Sequence, residues 1–156
     1  MFITIPNLED TFNMAGKKKI ILDSDLEYDF YLLGLSSYEK DYRIVWEINK
    51  ERNFHFHKID DHIVYHRKSG IDQHFSAFLY DDEQRGIQYK IIRNHSETGP
   101  LLEEHKNIDY VLIIRGEIDE EEIRQHKSAL ATLSAVQAVF IFELSKIKNK
   151  DRLLDN

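Results

Sequence analysis

The chain contains no cysteine. That excludes a disulfide framework, a thiolate zinc centre and a cysteine nucleophile, and it fits a reducing compartment. Proline occurs only twice and tryptophan once. No apolar run approaches the roughly 18–20 residues that a helix needs to cross a bilayer, so no membrane partner is expected. Phe2-Ile3-Thr4-Ile5-Pro6 is too short for a secretory leader, and the acids Glu9 and Asp10 follow it. Lys and Arg number 21 against 28 acids, and the net charge is −7. Sequence-independent nucleic-acid binding relies on Lys and Arg facing phosphate, so this balance argues against it. The phosphate loop GxxxxGK(S/T), the dinucleotide turn GxGxxG and the nucleophile elbow GxSxG are all missing. A soluble cytoplasmic protein that is not an enzyme is the reading these absences favour.

What is present is an ordinary globular composition, 42% hydrophobic and 31% charged. Residues 17–144 read as one domain, 1–16 as an N-terminal extension and 145–156 as a loosely docked tail. Met14-Ala-Gly-Lys-Lys-Lys offers a second possible start beside Met1, and Lys19-Ile-Ile-Leu22 is a brief apolar segment. Asp109-Tyr-Val-Leu-Ile-Ile114 is apolar without alternation after its first residue, the pattern of a strand buried on both faces. A helix follows, with Asp119 as N-cap, Glu122 completing a capping box and Ile118 stapled to Ile123. Its buried stripe is Ile123, His126 or the stem of Lys127, Leu130 and Leu133. Val136 to Phe142 is the last strand.

Upstream, Phe30 to Leu35 reads as a strand weakened by Gly34, with a helical turn as the alternative. A helix then runs from Ser37 to about Asn53. Its apolar face is expected to hold Tyr38, Tyr42, Ile44, Val45, Trp46 and Ile48, and its wet face Glu39, Lys40, Arg43, Glu47, Lys50 and Glu51. Residues 54–59 and 62–67 alternate around Asp60-Asp61, which predicts a hairpin pairing 57 with 64 and 55 with 66. A second hairpin spans 74–80 and 87–93. Its even register, 80 with 87 and 78 with 89, gathers Phe78, Tyr80, Ile87, Tyr89 and Ile91 on one face. Residues 94–106 are polar and read as a connection. The order predicts an α+β fold: a mixed, largely antiparallel sheet with two main helices on one face, and ferredoxin-like βαβ units bracketing a central β-meander. The opposite face would then expose spare aromatics and support a homodimer or a protein partner.

Lys40-Asp-Tyr-Arg-Ile-Val-Trp-Glu-Ile-Asn49 resembles the KDYRLxWxLN helix of the uncharacterised bacterial IPExxxVDY family. Leu102-Glu-Glu-His-Lys-Asn-Ile-Asp-Tyr110 resembles the motif that names that family, with glutamate at 103 where the family has proline. The Phe30–Ser37 segment and the Leu153-Leu154 ending are also similar, so the likeness covers the chain from about Met14 onward. It implies no activity, because the family is uncharacterised. The histidines at 55–66 stand outside its pattern.

Those histidines are the sharpest local constellation. In the predicted hairpin His55, His57, His62 and His66 share one face, and imidazoles suit a divalent transition metal, with Asp60 and Asp61 near. The same residues also fit a solvent face, or a surface that charges below about pH 6.5. No other cofactor is expected. Glu104, Asp109 and Tyr110 carry groups suited to acid–base work, but Asp109 can equally cap a turn and Tyr110 fill the core. Asp41, Arg43 and Asn49 fit a buried polar network, or a pocket beside Trp46. Three functions follow in order: a non-enzymatic binding or protein-interaction domain, a small-ligand sensor or regulatory module, and a histidine-based metal-binding protein.

Overall fold

The computed structural model describes residues 28–155; the 1–16 extension, the choice of start and the Lys19–Leu22 segment lie outside them. In chain order the elements are β1 (Tyr31–Ser36), α1 (Asp41–Arg52), β2 (His57–His66), β3 (Ile71–Asp82), β4 (Ile87–Arg93), β5 (His95–Ser96), β6 (Gly99–Pro100), β7 (Tyr110–Gly116), α2 (Glu120–Leu130) and β8 (Ala138–Phe142). Two 3-10 turns, Leu144–Lys146 and Lys150–Leu153, close the chain.

Six strands form one sheet in the order β2-β3-β4-β7-β1-β8, and every neighbouring pair is antiparallel. The fold is α+β, as the pattern predicts. Both strand–helix–strand units are split. In β7–α2–β8 the parallel strands flank β1, and in β1–α1–β2 they are separated by β7, β4 and β3. That is the ferredoxin-like arrangement widened by a meander. The parallel strands expected from the crossovers are therefore never neighbours.

β7 is buried from Tyr110 to Ile114 because cover lies on both sides of it. On one face Leu33, Leu35, Tyr89, Leu112 and Ile114 pack against Ile44 and Ile48 of α1 and Ile123 and Leu130 of α2. Asp119 caps α2 by accepting from the Glu122 N–H (2.9 Å), and the stripe Ile123, His126, Leu130 and Leu133 is buried as predicted. The Glu122 carboxylate, however, turns to Arg85 rather than back to the cap.

The opposite face corrects the expectation of exposed aromatics. Leu32, Phe75, Ala77, Ile92, Val111 and Ile113 are buried there against Leu101, Leu102, Ile108, Ile147 and Leu153. The 94–108 connection is thus a cover rather than a solvated loop. Asn94 organises it: its side-chain amide donates to the carbonyls of His105 (2.9 Å) and Ile108 (2.7 Å), and its oxygen accepts from Leu102 N–H (2.8 Å). The tail is firmly docked, not loose. Arg152 donates to Leu101 O, Gln73 Oε1 and Pro100 O, and Leu153 is 1% exposed. A side-chain network of this kind leaves no periodicity in the sequence, so neither segment could be recognised as core.

Two pairings also differ. Asp60-Asp61 is not a turn: β2 runs straight through it with a bulge between Ile59 and His62, and pairs with β3 along its whole length. In the β3–β4 hairpin Tyr80 faces Tyr89 and Phe78 faces Ile91, two residues from the predicted register. An even slip preserves the face, so the aromatic grouping survives. Gly34 has a packing reason. A Cβ there would lie 2.5 Å from the Phe142 ring, which crosses over it from β8.

Candidate binding surface

α1 is tied to the rest of the fold at five places, the last a contact of Arg52 Nη2 with His126 Nδ1 (3.4 Å). Before it begins, the Tyr110 hydroxyl donates to Glu39 O (2.6 Å). In its first turn the Asp41 carboxylate accepts from Ser76 Oγ (2.6 Å) on β3. Midway, the Glu47 carboxylate accepts from the Ser134 hydroxyl (2.9 Å) and from the Ser134 N–H (2.6 Å) and Ala135 N–H (3.4 Å). Near its end Asn49 exchanges two hydrogen bonds with the Phe56 backbone, at 2.9 and 3.0 Å. Asn53 then ends the helix in the left-handed conformation (φ 54°).

These ties rotate the helix away from its predicted orientation. Glu47, assigned to the wet face, is buried at 6% exposure. Burial by itself would raise its carboxyl, but the bonds from Ser134 and Ala135 and the nearby Arg43 outweigh that and hold it below the ordinary value. In exchange, Tyr42 (61% exposed) and Trp46 (54%), assigned to the core, face solvent on α1, while Tyr38 (90%), expected inside the helix, precedes it because α1 begins at Asp41 rather than Ser37. Turning the helix so that Glu47 reaches the two N–H groups necessarily moves this flank outward, because side chains are fixed at about 100° per residue.

Trp46 is exposed but braced. The Arg43 guanidinium and the Lys50 ammonium each lie 5.0 Å from its ring centroid, and Arg43 also pairs with Glu47 at 3.5 Å. Such a ring keeps its conformation while presenting a large apolar surface with positive charge on its flanks. Tyr65 lies on the same side of the sheet: it stands opposite Asp72, which shares a strand face with Ser76 beneath α1. Tyr65 is 59% exposed and stands at the β2–β3 turn, with its hydroxyl near Gly70.

The other predicted site residues separate from this flank. Asn49 spends both polar atoms on Phe56, and Asp41 serves Ser76 and its own helix start. Glu104 accepts from Lys148 N–H (2.7 Å) and so holds the tail. Asp109 accepts from Ser37 N–H (2.8 Å) and stands 3.3 Å from His95. Burial pushes the Tyr110 hydroxyl up to about 12, and its proton is committed to Glu39 O. Each of these groups joins two segments of backbone. None of them converges on a shared cavity with Trp46.

The histidines are spread along one strand. With β2 continuous, His57 stands opposite Leu79, His62 opposite Phe75 and His66 opposite Ile71. Successive histidines are thus four β3 positions apart, about 13 Å, whereas nitrogens on one zinc lie within about 4 Å of each other. His55 is out of the strand, with its ring against Tyr80. His62 is buried with Nε2 2.6 Å from Arg152 O, and burial pushes its pKa down. His66 bridges Ser69 and Glu103. The predicted four-histidine site does not assemble, and among the described residues no group of three or more metal-ligating side chains does.

The residue that sequence reasoning missed is Glu47. Its only signal is a carboxylate three residues before Lys50, which reads as an ordinary surface helix position. No family model matches this chain, and neither a curated protein nor a solved structure does. No helix among the described residues is long and apolar enough to cross a membrane.

Proposed function

We propose that this is a cytoplasmic, non-enzymatic interaction domain that docks a protein partner on the outer flank of α1. The observation that supports this reading is the braced exposure of Trp46, one turn after the exposed Tyr42 on α1. Trp, Tyr and Arg are the side chains that most often dominate binding energy at protein interfaces, and a ring already held in place loses little entropy on docking. The partner's chemistry follows from the flanks. Arg43 and Lys50 favour a segment that brings apolar side chains to the Trp46 ring and carboxylates beside it. The resemblance to the IPExxxVDY family is part of the same proposal. The motif positions Leu102, Glu104, Asp109 and Tyr110 all make fold contacts, and they imply no chemistry beyond that.

The small-ligand alternative has less support at this place. Asn49 is already satisfied, and open surface recesses lie elsewhere: one of about 200 Å³ is lined by His66, Glu103 and Arg152, and one of about 390 Å³ by His62, Lys90 and Asp155.

The test is comparative affinity capture from the native cell with wild-type protein and with Trp46→Ala/Tyr42→Ala, followed by titration of the recovered partner. Wild type should retain a partner that the double variant binds at least tenfold more weakly. Equal binding by both proteins overturns the proposal. So does a metabolite that raises the melting temperature of both proteins alike while no protein partner is recovered.

A further inference from the structure

Among the described residues the sheet ends at β2 and at β8, and these two strands are built differently. β2 carries the features that keep an edge from pairing with another chain: a bulge between Ile59 and His62, and the charges of Lys58, Asp60 and Asp61. β8 carries none of them. Its sequence is Ala-Val-Phe-Ile-Phe, it pairs with β1 in unbroken register, and no described strand lies on its far side. Phe140 is 42% and Ile141 40% exposed, on opposite faces of that edge.

We infer that β8 is a homodimer interface, at which a second copy pairs antiparallel through the same strand and continues the sheet. This goes beyond the docking surface on α1, and it moves the dimer expected from the sequence to a different place. The occupant is argued from self-complementarity. An uncharged strand opposed to itself about a two-fold axis meets no like charge, and a two-fold closes the assembly at two copies.

Charge on α2 supports the same orientation. Glu120, Ile123 and Arg124 share a cavity of about 330 Å³ with Ile141, Phe142 and Glu143, so the start of α2 sits beside the end of β8. Helix geometry places Glu120, Arg124 and Lys127 on one flank, opposite the side that carries Glu122 to Arg85. Antiparallel pairing of β8 runs α2 antiparallel to its counterpart. Glu120 of each copy then lies toward the partner's Lys127. Within each copy Arg124 already pairs with its own Glu121 (3.0 Å) and Glu120 (3.8 Å), both exposed, so Glu120 exchanges an i,i+4 surface pair for Lys127 across the two-fold.

The strand is short, and interfaces at the small end of the size range bind weakly, so a dissociation constant of about 10–100 µM is expected. Sedimentation equilibrium of the full chain from about 5 to 500 µM reads it. Wild type should pass from monomer to dimer across that range, while Phe140→Lys stays monomeric with unchanged far-UV circular dichroism. Glu120→Lys should weaken the dimer several-fold, and Glu120→Lys with Lys127→Glu should restore it. A wild-type monomer at the highest concentration overturns the inference, as does a dimer that survives Phe140→Lys. Amide exchange gives a further reading. Protection of 138–142 that rises with concentration supports pairing between copies, whereas equal protection in dilute monomer means another segment of the same chain covers the edge, and the inference falls.

Discussion

On one face of the sheet two amphipathic helices cover Leu33, Tyr89 and Ile114; on the other, an irregular connection and a turn-rich tail cover Leu32, Phe75 and Ile113. Both sides are equally dry. Phe75 and Leu32 are as buried as anything beneath the helices. What differs is how the covering segments satisfy their own backbone. A helix pairs its N–H and C=O groups internally, so its cover needs only an apolar stripe. The irregular cover must find partners one at a time, and it finds them in Asn94, Arg152 and Glu104. The first kind of cover is specified by a repeating pattern, the second by a few polar side chains placed singly.

If the tail is as much core as α1, Leu153→Ala should cost about as much as Ile48→Ala, each roughly 2–5 kcal/mol in urea unfolding. A cost under about 1 kcal/mol for Leu153→Ala alone would break the equivalence. Next in size is Asn94→Ala, which leaves the buried Leu102 N–H and Ile108 carbonyl without their partner and should cost about 2–3 kcal/mol. Its effect should concentrate on one face, with amide protection lost in 94–108 and the tail while α1 keeps its own.

Acid sharpens the comparison, since each face buries one histidine. His62 on the tail side and His126 on the helix side are both pushed below the ordinary 6.5, by burial first and by neighbouring cations. A histidine with a lowered folded pKa stabilises fully above 6.5 and loses that contribution as pH falls through the folded value. Stability should therefore decline below pH 6.5, and His62→Gln and His126→Gln should each remove part of the slope. A third phase belongs to the helix side. Glu47, also below its ordinary 4.5, contributes above that pH and loses its contribution on further acidification, so Glu47→Gln should flatten only the most acidic limb. An unchanged pH profile in all three variants would separate these groups from acid stability.

The smallest expected effect is on the outer flank of α1. Trp46→Ala removes a half-exposed ring and should change unfolding by about 1 kcal/mol or less. A loss as large as that of Ile48→Ala would make Trp46 a core residue and remove the reason to propose it for docking.

Much of the fold was legible from pattern. β7 was readable because an unbroken apolar run means cover on both sides, and α2 because Asp119, Ile118 and its stripe agree with each other. The aromatic face of the β3–β4 hairpin was readable even with the register off by two, since strand faces repeat every second residue. The candidate surface was only partly so. Trp46 and Arg43 were singled out, but for a pocket; Tyr38 and Tyr42 were assigned to the core. The histidine face failed for one reason. Asp60-Asp61 has the composition of a turn, and whether two acids make a turn or a bulge depends on the partner strand, here β3.

Local regularities therefore determined β1, β3, β4, β7 and β8, α2 and the α+β class, because hydrogen-bond periods of two and 3.6 residues write themselves into the order of apolar side chains. Tertiary structure alone decided which flank of α1 meets water and what covers the second face. Those outcomes rest on contacts between residues far apart in the chain, such as Glu47 with Ser134 and Arg152 with Gln73. A single buried polar contact can rotate a helix or fasten a tail, and it leaves no period to read.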